Sequence, residues 1–478
     1  MLHNATLIEP FTVTPIDRTA LDALRAALPG RVLTPDDAGY DAARAGYSIA
    51  ELPTPDVVVV AADATDVITA VGFARDQQLP IGVKATGHNF GFAWPGGLMI
   101  NTERMQGVRI DPIMRTAQVA AGVRWRDVIA AAHAYGLAPL SGSTSQVGVV
   151  GYTLSGGFGW LLRQYGAAVD SVLSVDIVTA DGRLRHVSPQ ADRDLFWALR
   201  GGGGNFGVVT ALEFQLYPVT SVYGGTLFFP IERAAEVLSA YSAWVATVPE
   251  ALTSTIVLQR FPPLPIVPEP LRGKAVVAVL AAYCGPATDG APWIDRLRSL
   301  GGALIDTFSQ LPYTALDSIA NDPVDPLPTR RMTGLLHDLG PSTIATLVDL
   351  AGAQAEQPLM KMEIRHLGGA MTRFDPRSAA FSQRNAPFVF VTVDLTPSPA
   401  QAALSERKTR QAAGALQPHT TGGVMAGWLG GGDYGVERTR AAFAPEHYAR
   451  LRQIKQRYDP ANIFRLNHNI PPAAQPGE

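Results

Sequence analysis

Residues 142–166 read GSTSQVGVVGYTLSGGFGWLLRQYG, with seven glycines in 25 positions. Glycine lets a backbone come close to a ligand, and several backbone N–H groups aimed at one place suit a diphosphate. Taken alone, such a run reads equally as tight turns or close helix packing. Two further glycine-rich loops flank it. Thr86-Gly87-His88-Asn89-Phe90-Gly91 comes before, and Gly201-Gly202-Gly203-Gly204-Asn205-Phe206-Gly207 after. Three such loops within about 120 residues suggest an extended cofactor cradled along its length.

Working outward, the residues before the first loop form a βαβ pattern. The β-branched run at 57–61 reads as a buried strand. Asp63 or Thr65 can cap a helix running to about residue 78, with Val67, Ile68, Val71 and Phe73 as its apolar stripe. Leu79-Pro80 ends it, and 81–84 is a second strand. The unit implies a parallel pair. The second strand runs straight into the first glycine loop, and ligands on α/β sheets sit beyond the carboxyl ends of strands. Elsewhere the pattern predicts helices over 17–28, 126–135, 194–200 and 445–458. It predicts strands over 115–121, 172–179, 183–187 and 208–216, the middle two joined as a hairpin by Ala180-Asp181-Gly182. Past Tyr217-Pro218 the glycine clusters thin out. Residues 261–265 and 322–328 read as proline-rich loops, and 360–367 and 388–395 as strands of a second sheet.

Several classes are excluded. The first strand leads into Ala61-Ala62-Asp63-Ala64, so the nicotinamide-dinucleotide fingerprint is absent. No glycine loop ends in Gly-Lys-Ser or Gly-Lys-Thr, so there is no P-loop. The net charge is −3 with no run of one sign, which argues against nucleic acid. One cysteine, Cys284, allows no intrachain disulfide and no cysteine cluster for a metal. No metal site is expected. With 47% apolar and 17% charged residues, the 478-residue chain can bury a large core. No stretch of about 18 apolar residues occurs, and the N-terminal hexapeptide does not read as a secretory signal. A cytoplasmic protein with no membrane partner is the expectation.

The order of motifs resembles the FAD-linked oxidases of the berberine-bridge-enzyme type, within the vanillyl-alcohol oxidase (PCMH-type FAD-binding) superfamily. Lys84-Ala85-Thr86-Gly87-His88 matches the strand end where that family presents a histidine bonded to the flavin 8α-methyl. Residues 147–162, 196–209 and 458–470 match three later family segments. The resemblance is strong over 55–218 and 440–472 and weak between them. It implies an α+β fold with a two-subdomain FAD-binding domain and a substrate domain whose antiparallel sheet is backed by helices. The implied division is 1–217 (core 52–218), 218–428, and a segment 429–478 that returns to the FAD domain.

The resemblance also assigns residues. His88 would carry FAD through a single covalent bond; without that context it reads as a loop histidine. Lys84, Ala85, Thr86, Gly87, Asn89, Thr144, Gln146, Val147, Gly148, Gly151, Tyr152, Gly156, Gly157, Gly159, Gly207, Val208 and Val209 would hold the cofactor. Asn467 and Asn469, two apart, face one side of an extended chain. They would approach the isoalloxazine ring, where negative charge builds on reduction. The chain departs from the family in three places. Lys84 stands for the usual arginine. Thr144 stands where many members carry a second, cysteinyl link, so no such link is expected. Met425, Ala426 and Gly427 stand where many relatives place a substrate-facing tyrosine.

For catalysis, Lys361, Glu363 and Arg365 share one face of the 360–367 strand. Glu363 between two cations stays ionised, suited to a base or an ammonium contact, or the three form a surface ladder of charge. Arg365 and Tyr152 complete the candidate set; Tyr152 reads equally as a ligand contact or a packing aromatic. His366, on the opposite face, reads as packing or surface. The expected reaction is hydride transfer from a substrate C–H to flavin N5, the substrate being a small alcohol, sugar, amine or secondary-metabolite intermediate. Oxygen would reoxidise the flavin and give hydrogen peroxide. Gly142, at a position resembling the family's oxygen-access region, favours oxidase over dehydrogenase. The alternatives are a tailoring enzyme of secondary metabolism, coupling oxidation to cyclisation or aromatisation, and a non-catalytic flavin-binding protein.

Overall fold

A computed structural model of the chain describes residues 16–50, 52–89, 93–430 and 433–474. Phe90 and Gly91 of the first glycine loop, and Gly431 and Gly432, lie outside the described residues. The described residues form three sheets.

The first sheet has four strands, in the order Val32–Leu33, Val57–Val60, Leu98–Asn101 and Ile81–Lys84. All four valines of 57–60 are buried, as in a strand covered on both faces. Asp63 starts the next helix, Ala64–Asp76. Its carboxylate accepts from the backbone N–H of Thr65 at 2.8 Å and of Asp66 at 3.1 Å. The expected parallel pair is not direct. Leu98–Asn101 inserts between the two strands, parallel to each. A βαβ crossover fixes strand direction but leaves adjacency open to a later strand. The predicted N-terminal helix is Arg18–Ala27, capped by Asp17.

The second sheet is antiparallel, in the order Val108–Asp111, Thr116–Ala120, Val208–Gln215, Val172–Val178 and Leu184–Val187. It contains the predicted hairpin. The helix expected over 126–135 is Trp125–His133, and that over 194–200 is Arg193–Leu199.

The third sheet has eight antiparallel strands. Its path is Ile305–Asp306, Ser221–Pro230, Ala275–Tyr283, Leu252–Arg260, Lys361–His366, Phe388–Leu395 and Thr329–Leu336, with Ser309–Pro312 also on Ser221–Pro230. Side chains alternate between its faces. Phe229, Ile256, Leu258, Val279, Met362, Ile364 and Phe390 enter one apolar core with helices Ala234–Val245, Pro341–Ala351 and Pro399–Leu416. This is the α+β architecture the resemblance implied, with the antiparallel sheet backed by helices. The other face looks into a cavity.

The chain closes on its beginning. Helix Pro445–Tyr458 is followed by a segment that packs on the first sheet: the Ile81 N–H donates to the Ile463 carbonyl at 2.7 Å, and Phe464 is fully buried. Lys455 and Asp459, both without solvent exposure, pair at 2.6 Å. The Lys455 ammonium also donates to the carbonyls of Asn205 at 2.6 Å and Phe464 at 2.9 Å. Asp459 accepts from the N–H groups of Ile463 and Phe464. One ion pair thus ties the last helix, the tail and the third glycine loop together. Among the described residues no helix is long and apolar enough to cross a membrane.

Candidate active site

A cavity of about 950 Å³ lies between the glycine loops and the open face of the eight-stranded sheet. All three glycine loops reach it. It is lined by residues 84–89, by Gly142, Thr144, Val147, Gly148, Gly151 and Tyr152, and by Gly201–Asn205, Gly207 and Val209.

The first loop is held from several sides. Gly87 has φ of 65°, and a Cβ there would come within 2.6 Å of the Gly46 Cα, so only glycine fits. The Thr86 hydroxyl accepts from the Gly148 N–H at 3.1 Å, joining the first and second loops. Lys84 is buried, donating to Glu103 at 3.1 Å and to the Ala43 carbonyl at 3.2 Å. Asn89 donates to the carbonyls of Gly427 and Leu429 at 3.2 and 3.0 Å. His88 stacks on Tyr47 with ring centroids 4.6 Å apart, and its carbonyl accepts from Arg331 at 3.3 Å. Burial, then the charge of Arg331, lowers the His88 pKa to about 4, so its imidazole is neutral at ordinary pH.

Opposite stands a ladder of charge. Lys361, Glu363 and Arg365 all line the cavity. Glu363 accepts from the Arg365 guanidinium and pairs with Lys361 at 3.0 Å. Burial pushes Glu363 upward, but Arg365 and Lys361 outweigh it and hold its carboxyl at about 2. Lys361 also reaches Asp322 at 3.5 Å. Arg365 donates to Ser143 at 3.3 Å and lies over the Trp428 ring, 4.7 Å from its centroid. Ser143 donates to Asp322 at 3.0 Å, and Ser145 is bound by Asp317 at 2.6 Å, so the 142–146 loop is pinned to the opposite wall.

Tyr152 packs on one side and borders the cavity on the other. Its ring packs edge-on to Trp125 at 5.5 Å, while its hydroxyl, buried at the cavity, has no hydrogen-bond partner among the described residues. Burial raises its pKa well above that of an ordinary phenol, so it stays protonated.

Six candidates do not line the cavity. Gln146 turns outward to Arg126. Gly157 packs beneath the Tyr152 ring, Gly159 against the Ser141 carbonyl, and Gly156 against Phe158 and Phe381. Val208 is a core residue of the first sheet's layer. Asn469 lies off the lining because the chain bends at 466–468 and the two-residue period does not apply, though its side-chain oxygen is buried without a partner among the described residues. Asn467 and His468 line the cavity instead. Asn467 donates to the Gly204 carbonyl at 3.2 Å. His366 lies on the far face, beside Arg163 at 3.1 Å, and burial lowers its pKa to about 3.

Tyr47, Asp322, Arg331, Trp428 and His468 carry no motif, and sequence reading missed them. Trp428 is the aromatic that the 425–429 segment offers the cavity. Its only signal was nearness to the missing tyrosine. Arg331 and Asp322 meet the glycine loops only through tertiary folding.

The residues fit an extended dinucleotide. A Cβ at Gly151 or Gly204 would meet nothing within 4 Å, and one at Gly203 only the Ser155 hydroxyl at 3.7 Å. Side chains there would fill the cavity itself. The carbonyl oxygens of Asn89 and Asn467 are buried without partners among the described residues, as is the Tyr152 hydroxyl. Among the described residues no group of three His, Cys, Asp or Glu side chains is placed to hold a metal ion.

The comparisons agree with this geometry. Residues 55–188 match the FAD binding domain model, and residues 417–471 the model described as berberine and berberine like. An FAD-linked oxidoreductase of Dictyostelium discoideum is 28% identical over 438 residues, covering 89% of this chain and 91% of that protein. (R)-6-hydroxynicotine oxidase of Paenarthrobacter nicotinovorans is 28% identical over 464 residues, covering 93% and 97%. The crystal structure of 6-hydroxy-D-nicotine oxidase from Arthrobacter nicotinovorans superposes with a TM-score of 0.81 at 25% identity, covering 93% of this chain and 98% of that one.

Proposed function

We propose, for a chain that belongs to the FAD-linked oxidoreductases of the berberine-bridge-enzyme type, that it is an oxidase of a small organic molecule with oxygen as electron acceptor. The observation that carries this reading is the single cavity: three glycine loops on one side and the charged sheet face on the other. The division at 1–217, 218–428 and 429–478 and a cytoplasmic location belong to the same reading.

Bound FAD supplies the acceptor for an electron pair from a substrate C–H bond. The chain supplies the rest. Backbone at 84–89, 147–151 and 201–207, with Asn467, holds the cofactor. His88 is the residue for the covalent bond, and its neutral imidazole supports that role, since only the neutral ring is a nucleophile. A cysteinyl link has no residue to form it: Thr144 lines the cavity where the cysteine would stand, and Cys284 does not line it.

Glu363 is held too acidic to be an efficient base near neutral pH. Its role in this reading is to fix Lys361 and Arg365 in the sheet face. In this reading Arg365, stacked on Trp428, orients the substrate, and Tyr152, on the same lining, keeps its proton beside the reacting group.

The test needs no substrate. The purified yellow protein is reduced by dithionite without air, then mixed with air-saturated buffer. Recovery of the oxidised spectrum within seconds, with one peroxide per flavin, is the expected result. Recovery over many minutes, with fast recovery by an artificial dye, makes the protein a dehydrogenase. A preparation that takes up no FAD overturns the reading as a whole.

A further inference from the structure

On the side of the cavity facing the glycine loops, the side-chain charges do not balance. Arg331, Lys361 and Arg365 line it as cations, against the two carboxylates Glu363 and Asp322. Lys84, also on the lining, is matched by Glu103. Both carboxylates are engaged. Glu363 sits between Lys361 and Arg365, and Asp322 takes Lys361 and the Ser143 hydroxyl. No carboxylate is left for an ammonium ion. Arg331 is the opposite case. It donates to the neutral carbonyl of His88, and among the described residues no carboxylate lies within ion-pair distance, Asp322 acting on it only from farther away. A guanidinium has five donors in a fork that suits carboxylates, and an unpaired one in a cavity wall is costly unless a ligand completes it.

Next to this charge, the same sheet face turns apolar. Strand pairing sets Arg331 beside Val393, and Val391 beside Glu363 and then Val257 and Ala278. Phe228 continues the row on the next strand, and Leu280, two residues from Ala278, adds to the same face. The floor ends at the loop 261–271. Its Phe261, Pro268 and Leu271 line the cavity, and Leu264 and Ile266 on the same loop are 52% and 89% exposed. An apolar path therefore leads from the surface to the charged ladder.

We propose that the substrate is an organic anion with an apolar body, its acidic group paired with Arg331 and its body against the neighbouring Val391 and Val393, the Val257–Ala278–Phe228 row beyond the charged ladder forming the approach from the surface. A carboxylate or an acidic phenol would serve. A sugar would leave the apolar floor bare, and an amine would meet surplus positive charge. This inference rests on reading the cavity as the oxidase active site.

The test uses the flavin-containing protein and three matched probes: 4-phenylbutyrate, 4-phenylbutan-1-ol and 4-phenylbutylamine. FAD content is measured first, then binding by calorimetry. The expected order is acid, alcohol, amine, with the acid tighter than the alcohol by on the order of tenfold. Arg331→Met should remove the preference for the acid while FAD content stays unchanged, and Arg331→Lys should keep part of it. Equal binding of the three probes, a preference for the amine, or no binding of the acid overturns the proposal. So does loss of FAD in Arg331→Met with the acid preference intact, which would give Arg331 to the cofactor. Absence of FAD from wild type is a failure of the functional reading instead.

Discussion

The loops at 84–89, 147–155 and 201–209 present glycines and backbone to the cavity, whereas the eight-stranded sheet presents Arg331, Lys361, Glu363 and Arg365. The two walls differ in what a substitution can change. A backbone wall recognises through shape, so adding atoms harms it. A side-chain wall recognises through charge, so exchanging atoms harms it. Cofactor retention should follow the first wall and substrate choice the second.

The largest expected effect tests the backbone wall. Gly151→Leu adds a side chain on the cavity lining, where a Cβ meets nothing within 4 Å. It also replaces a helix-interior glycine, worth about 1 kcal/mol in favour of the fold. The variant should fold at least as stably as flavin-free wild type yet lose most of its flavin, read from the 450 nm absorbance and a thermal melt. Full flavin retention would break the distinction between the walls.

Next comes the pair that ties the backbone wall in place. Lys455→Met leaves Asp459 buried and uncompensated, and should cost about 3–5 kcal/mol in denaturant unfolding. On the side-chain wall, Glu363→Gln removes the charge that organises Lys361 and Arg365. It should lower kcat/KM by on the order of a hundredfold with flavin content unchanged. Tyr152→Phe removes a hydroxyl with no partner among the described residues, so stability should hold within about 0.5 kcal/mol while kcat/KM falls roughly tenfold. A stability loss in place of the rate loss would make Tyr152 a packing residue only.

The smallest effect is a pH dependence. Burial lowers the pKa of His366 to about 3 and of His468 to about 4, against 6.5 for free histidine. Between these values the unfolded chain binds protons that the folded chain does not, so stability falls as pH falls. The melting temperature should be level between pH 6.5 and about 8 and decline from pH 6.5 toward pH 4. His366→Phe, far from the cavity, should flatten part of that decline without altering flavin content.

The two walls also differed in legibility. The glycine loops announce themselves because backbone recognition needs glycine, and glycine is visible in a sequence. The strand 361–366 was legible through its alternation of charge. Arg331 and Asp322 were not, because a lone charge in a strand or loop looks alike whether it meets solvent or a cavity. The same holds for Trp428. Asn469 does not share the lining with Asn467 because two-residue spacing counts only in extended chain, and the tail bends at 466–468. The inserted strand Leu98–Asn101 was missed because a local pattern sets strand direction, not sheet order.

The most direct measurement is the mass of the proteolytic peptide that contains His88, taken from acid-denatured protein. The account predicts one peptide heavier by a single FAD, with fragmentation placing the bond on His88 and the peptide carrying Thr144 unmodified. An unmodified His88 peptide, with all the flavin released into the acid supernatant, would contradict it.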